Sequence, residues 1–128
     1  MRRVKVRIRV GRGSLTKEHH VSAYMTSVAG LVIHPEVEYD STAGRFISKR
    51  NTWAITQYPT GLLAFGGIFT MQEAFDIVEK DMIPFNWVGL NADEAMAVND
   101  AEELQVLANK VKEKIAMSRK IQQEARSK

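Results

Sequence analysis

Residues 51–80, NTWAITQYPTGLLAFGGIFTMQEAFDIVEK, pass from a two-residue period to a helical one, and any fold must accommodate that change. Thr52 to Tyr58 alternates, with Trp53, Ile55 and Gln57 on one face and Thr52, Ala54, Thr56 and Tyr58 on the other, the pattern of a strand. Pro59-Thr60-Gly61 reverses the chain: proline presets the first turn position and glycine accepts the positive φ that follows. Leu62 to Phe65 is the return strand, broken or bulged at Gly66-Gly67 before Ile68-Phe69. Thr70-Met71-Gln72-Glu73 is a capping box, in which the Thr70 hydroxyl accepts from the Glu73 N–H and the Glu73 side chain reaches back. Met71, Ala74, Phe75, Val78 and Met82 then form one apolar stripe toward the sheet, leaving Asp76, Glu79 and Asp81 outside, and Pro84 ends the helix.

Upstream, Arg3 to Val10 alternates strictly: Val4, Val6, Ile8 and Val10 face one way, Arg3, Lys5, Arg7 and Arg9 the other. Four cations on one strand face repel unless phosphate, nucleic acid or a neighbouring strand's acids cover them, or unless they guard a sheet edge. Gly11-Arg12-Gly13-Ser14 follows. It is either a plain turn or, with Arg9 and Arg12 beside Gly11 and Gly13, a small backbone nest for an anion. Leu15 to Gly30 is open between a short helix and a strand or loop. Leu31 to Tyr39 is a strand with an edge, bulge or start at Pro35; Asp40 to Gly44 is a turn, Arg45 to Ser48 a short strand, and Lys49-Arg50-Asn51 another turn.

Beyond Pro84, Asp93 to Val98 suits a helical turn. Asp100 is an N-cap, with no Gly or Pro from there to Arg126. The resulting helix has a stripe of Leu104, Leu107, Val111 and Ile115 that fades to Met117 and Ile121. The whole predicts an α+β fold: an N-terminal antiparallel β-sheet of about five strands, packed by one capped helix and followed by a long C-terminal helix. It is read as a single domain, mainly sheet over 1–69, helix over 70–82 and helical again over 93–126. A helix that outruns its body packs on another subunit or stays partly free, so a homo-oligomer is expected, with the later half of this helix at or near the interface.

The 128 residues contain no cysteine, which excludes disulfides, thiolate zinc sites and cysteine nucleophiles and fits a reducing cytoplasm. No apolar run is long enough to span a bilayer, and MRRVKVRIRV lacks the uninterrupted core of a signal peptide; no membrane association is expected. The net charge of +3 is segregated: residues 1–50 carry ten Lys/Arg and four acids, 51–100 one and seven, 101–128 seven and four. Such a pattern steers an anionic ligand, docks subunits end to middle, or simply solvates exposed faces. His19-His20 is a candidate metal pair, but adjacent side chains diverge on a strand or a helix and no nearby carboxylate pattern completes a site. There is no G-x-S-x-G and no H-E-x-x-H. A binding protein without catalytic residues, metal or cofactor is therefore expected. Phe85-Asn86-Trp87-Val88-Gly89-Leu90-Asn91 either caps the core or offers stacking rings beside amides.

Trp53 to Leu62, with the capped helix after Phe69, resembles a strand–turn–strand–helix unit of small phage- and plasmid-encoded proteins. The overall plan is similar to the first type of phage anti-Thoeris protein, which sequesters a cyclic ADP-ribose-type immune signal. The resemblance implies a phage anti-defence protein in the host cytoplasm that holds a phosphorylated nucleotide-derived ligand. Phe85, Asn86, Trp87 and Asn91 would take the base, and Lys110, Lys114 and Arg119 the phosphates. Where that family uses arginines, Lys110 and Lys114 supply point charges without a bidentate fork. The alternatives are a protein-interaction module that inhibits a host nuclease or immune complex, and non-specific nucleic-acid binding.

Overall fold

The computed structural model describes residues 2–11, 17–58, 60–88 and 99–126. Five antiparallel strands pair in sequence order: β1 (Arg3–Val10), β2 (Lys17–Met25), β3 (Leu31–Asp40), β4 (Arg45–Gln57) and β5 (Leu62–Ile68). Helix α1 (Met71–Ile77) runs into a π-helical turn (Val78–Met82), and α2 (Ala101–Arg126) closes the described chain. The fold is the expected α+β arrangement. Its five strands, however, are not the five anticipated ones. The open segment after Gly11 contributes β2, and two expected strands are one.

That merger has a local cause. The supposed turn at Lys49-Arg50-Asn51 is an irregularity inside the 13-residue β4, where Asn51 takes φ 65°. It lies opposite the register shift between Pro35 and Val37 on β3, so the proline's missing donor falls where the ladder is already interrupted. A second bulge answers it on β5. Gly67 adopts φ 70°, and its N–H donates to Glu36 Oε2 at 3.1 Å, tying the two irregular points together across β4.

The sheet coils until its ends meet. The Arg9 N–H on β1 donates to the Gly61 carbonyl in the β4–β5 turn at 2.9 Å. Gly61 has φ 78°, and a Cβ there would lie 2.7 Å from the Arg7 carbonyl, so a larger residue would hold β1 away. The Gly61 N–H also returns to the Gln57 carbonyl at 2.9 Å, closing the expected reversal; Pro59 lies outside the described residues.

Coiling gives the sheet two buried faces. Inside it, Val6, Ile8, Ala23 and Val32 form a small core. On the same side His34 is buried, with Nδ1 2.8 Å from the Pro35 carbonyl and Nε2 2.7 Å from Thr56 Oγ1. A carbonyl only accepts, so Nδ1 carries the proton and Nε2 accepts from the hydroxyl. Outside, Leu31, Ile33, Ile55 and Ile68 pack against Ala74, Ile77, Val78 and Met82, with Leu107 and Val111 of α2 completing the layer. β3 thus reads as a continuous buried run, Leu31 to His34, because it is covered on both sides. Each fully buried aliphatic side chain contributes about 1.5–3 kcal/mol.

Both helix starts follow the sequence, with one exchange. Thr70 Oγ1 accepts from the Glu73 N–H at 3.0 Å, and Asp100 Oδ1 from the Glu103 N–H at 3.0 Å. The Glu73 carboxylate does not return to Thr70. It accepts from Ser118 Oγ at 3.0 Å, joining α1 to α2. Of the expected helical part over 93–126, residues 93–98 lie outside the described residues.

Candidate functional site

The ligand site expected between the aromatic segment and α2 has a different internal logic. Trp87 Nε1 donates at 2.8 Å to the Met82 carbonyl, which also accepts from the Phe85 N–H at 3.2 Å. The Trp87 carbonyl accepts from Gln57 Nε2 at 2.9 Å, and Gly30, with φ 92°, leaves room for the Trp87 backbone beside it. The rings of Phe85 and Trp87 lie 6.1 Å apart and pack on the outer core. Asn86 and Asn99 brace each other: the Asn86 N–H donates to Asn99 Oδ1 at 2.8 Å and Asn99 Nδ2 to the Asn86 carbonyl at 3.0 Å. The segment fastens the helical layer to the end of the sheet. Asn91 lies outside the described residues.

The lysines are occupied as well. Lys110 Nζ is 3.0 Å from Asp81 Oδ1, and Lys114 Nζ 2.5 Å from Oδ2. Asp81, expected outside, is a correction: its side chain is 2% exposed. A single apolar stripe does not disclose that this helix has two buried flanks. Ile77 and Asp81, four residues apart, face α2 rather than solvent. Burial opposes the carboxylate's charge, but the Lys114 and Lys110 hydrogen bonds and charges prevail and hold it below the ordinary carboxylate value. Arg119 does not join them. Nine residues beyond Lys110, it emerges about 180° around a helix of 3.6 residues per turn, over Gly67 on β5. An open groove of about 560 Å³ does run past Phe85 and Lys110, but Asp81, Asp100, Glu102 and Glu103 line it, so a phosphate there meets four acids.

The other predicted anion surface stands open. Arg3, Lys5, Arg7 and Arg9 are all exposed on the outer face of β1. Alternate strand residues place them roughly 6.7 Å apart. Their cross-strand partners on β2 are Tyr24, Ser22, His20 and Glu18. Glu18 Oε2 lies 3.5 Å from Arg7 NH1, with both side chains half exposed. The Arg3 guanidinium sits 5.1 Å from the Tyr24 ring centroid, a cation–π contact that leaves its charge in place. Among the described residues no acid is ion-paired with Lys5 or Arg9. The helices pack chiefly on β3, β4 and β5, so neither covers this row. Gly11, at the end of β1, takes φ 109°; Arg12 and Gly13 lie outside the described residues.

The histidines separate as adjacent strand residues must. His20 pairs with Arg7 on the outer face, while His19 turns inward and stacks on Phe46 at 4.2 Å between ring centroids. Tyr24 is the outer-face residue that the sequence does not mark, because Leu15 to Gly30 carries no clear strand period. Compared with protein-family models, curated proteins and solved structures, the chain matches none. Among the described residues no helix is long and apolar enough to cross a membrane.

Proposed function

We propose that this chain is a non-enzymatic binding protein whose ligand carries phosphodiester groups and lies along the outer face of β1. The observation that carries the reading is the exposed row Arg3, Lys5, Arg7 and Arg9, against which one acid, Glu18, is ion-paired among the described residues. A straight row of cations suits a linear polyanion, whose charges also recur along a line. Single-stranded nucleic acid fits best, because Tyr24 and His20 lie among the cations and offer rings to an unpaired base. A cyclic oligonucleotide, sequestered in an anti-defence role, belongs to the same chemistry; an ADP-ribose-type signal carries a diphosphate instead, and the compact charge of either would engage only part of the row.

The test is fluorescence anisotropy with a labelled single-stranded oligonucleotide, with a cyclic dinucleotide and an ADP-ribose derivative as competitors. Saturable binding should weaken with salt at a slope of about −2 to −3 in log K against log salt, the counterion release of three to four phosphate contacts. Tighter binding of the small ligand would move the reading to signal sequestration. No binding of any probe at low salt would refute it.

A further inference from the structure

We propose that the inside of the coiled sheet holds a second binding site, a pocket for a small primary ammonium with a short alkyl chain. The pocket has a volume of about 140 Å³ and lies among the end of β1, the middle of β3 and β4, and the start of β5. Ile8, Val10, Val37, Ala54 and Leu63 form its apolar walls, and His34, Glu36 and Thr56 are its polar side chains. Three local features bring the Glu36 carboxylate here. Glu36 sits at the register shift between Pro35 and Val37, where a bulge re-aims a side chain out of the plain alternation. The Gly67 N–H donates to its Oε2 at 3.1 Å. Gly66 supplies the space, since a Cβ there would lie 2.8 Å from Oε1. Arg9 stands at the rim, but among the described residues no cation is ion-paired with Glu36 and no donor reaches Oε1. A partly buried carboxylate in this setting calls for a positive partner.

The neighbouring hydrogen bonds fix the chemistry of that partner. His34 Nδ1 donates to the Pro35 carbonyl, so Nε2 accepts from the Thr56 hydroxyl, and both ring nitrogens are used. Thr56 has then given its one proton, and its oxygen can only accept. The open polar side-chain atoms, Glu36 Oε1 and Thr56 Oγ1, are therefore both acceptors. A primary ammonium has three donors, no acceptor and the missing charge. A carboxylate would be repelled, and a quaternary ammonium has no N–H to give. Size sets the rest: a cavity of about 150 Å³ holds benzene, so roughly four or five carbons accompany the nitrogen. The pocket opens inside the coil and the cationic row faces outward, so this site does not depend on the ligand reading above.

The probe is butylammonium, followed by amide NMR spectra of the whole chain. It should shift the amides of Val37, Thr56 and Leu63 saturably, with a Kd of about 1–10 mM for so small a ligand. Butyrate and tetramethylammonium should not compete. Glu36→Gln keeps an oxygen for the Gly67 N–H, so it should fold, and it should weaken binding at least about tenfold. Leu63 is 55% exposed, so Leu63→Lys should also fold, and its own ammonium at the mouth should displace or repel the probe. Val106→Lys, on an exposed residue far from the pocket, should leave binding unchanged. A probe that never saturates, equal shifts with tetramethylammonium, or full affinity in Glu36→Gln or Leu63→Lys would overturn the proposal.

Discussion

Two sets of cations differ in what surrounds them. On α2, Lys110 and Lys114 converge on one buried carboxylate, Asp81. On β1, Arg3, Lys5, Arg7 and Arg9 spread along an uncovered strand with one half-exposed acid nearby. Both sets look alike as charge on an amphipathic element. The first set neutralises an anion that the fold itself buries, and the second has charge left over for something else. A buried partner therefore separates structural cations from available ones better than exposure does, since Lys110 is itself 58% exposed.

The comparison can be broken in order of expected effect. The covered half should carry the stability. Ile55→Ala, under the helices and fully buried, should lower the unfolding free energy by about 3 kcal/mol in urea titration; a loss below ~1 kcal/mol would mean the helical layer is loosely packed. Reversing the uncovered set by Lys5→Glu with Arg9→Glu should change stability by under about 0.5 kcal/mol, while weakening oligonucleotide binding at least about tenfold and flattening its salt slope by roughly 1.4. Equal losses in both readouts would make that row structural. Asp81→Ala should cost about 2 kcal/mol. This is less than a fully buried pair loses, because the stranded lysines can turn to water. Oligonucleotide binding should survive it.

Acid separates the two faces of the sheet. Asp81 is held below its ordinary value of 3.8, so its contribution is present above that pH and is lost as pH falls through the lowered value. His34 is pushed below 6.5 by burial, against weaker opposing effects of the Pro35 carbonyl and Glu36. The unfolded chain then binds the extra proton, so stability should begin to fall below about pH 6.5, well before Asp81 titrates. Urea midpoints between pH 8 and 3 should resolve the two phases; a flat profile from pH 7 to 5 would mean that His34 opens to water. The smallest effect is at Thr52, whose buried hydroxyl has no hydrogen-bond partner among the described residues. Thr52→Val should be neutral or stabilising by under ~1 kcal/mol.

Local patterns carried much of the fold. Alternation gave β1 to the residue, and the caps at Thr70 and Asp100 formed because each satisfies a backbone donor within its own turn. The β4–β5 reversal followed for the same reason. Lys17 to Met25 was not legible, because its buried residues are spaced by contacts with β1 and Phe46 rather than by a strong apolar alternation. Nor was the continuity of β4, since Lys49-Arg50-Asn51 reads as a turn until β3 is laid beside it. At the candidate site, the cationic row was visible in the sequence and the role of Lys110 and Lys114 was not.

The sequence alone thus determined what depends on neighbours in the chain: strand and helix periods, their caps, and a face of β1 whose charges cannot hide. Tertiary structure decided what depends on distant partners. It curled the sheet so that Gly61 meets β1, gave α1 a second buried flank, and placed Asp81 against two lysines 29 and 33 residues away. A charge is satisfied by whatever lies within a few ångströms, and sequence separation carries no information about that distance.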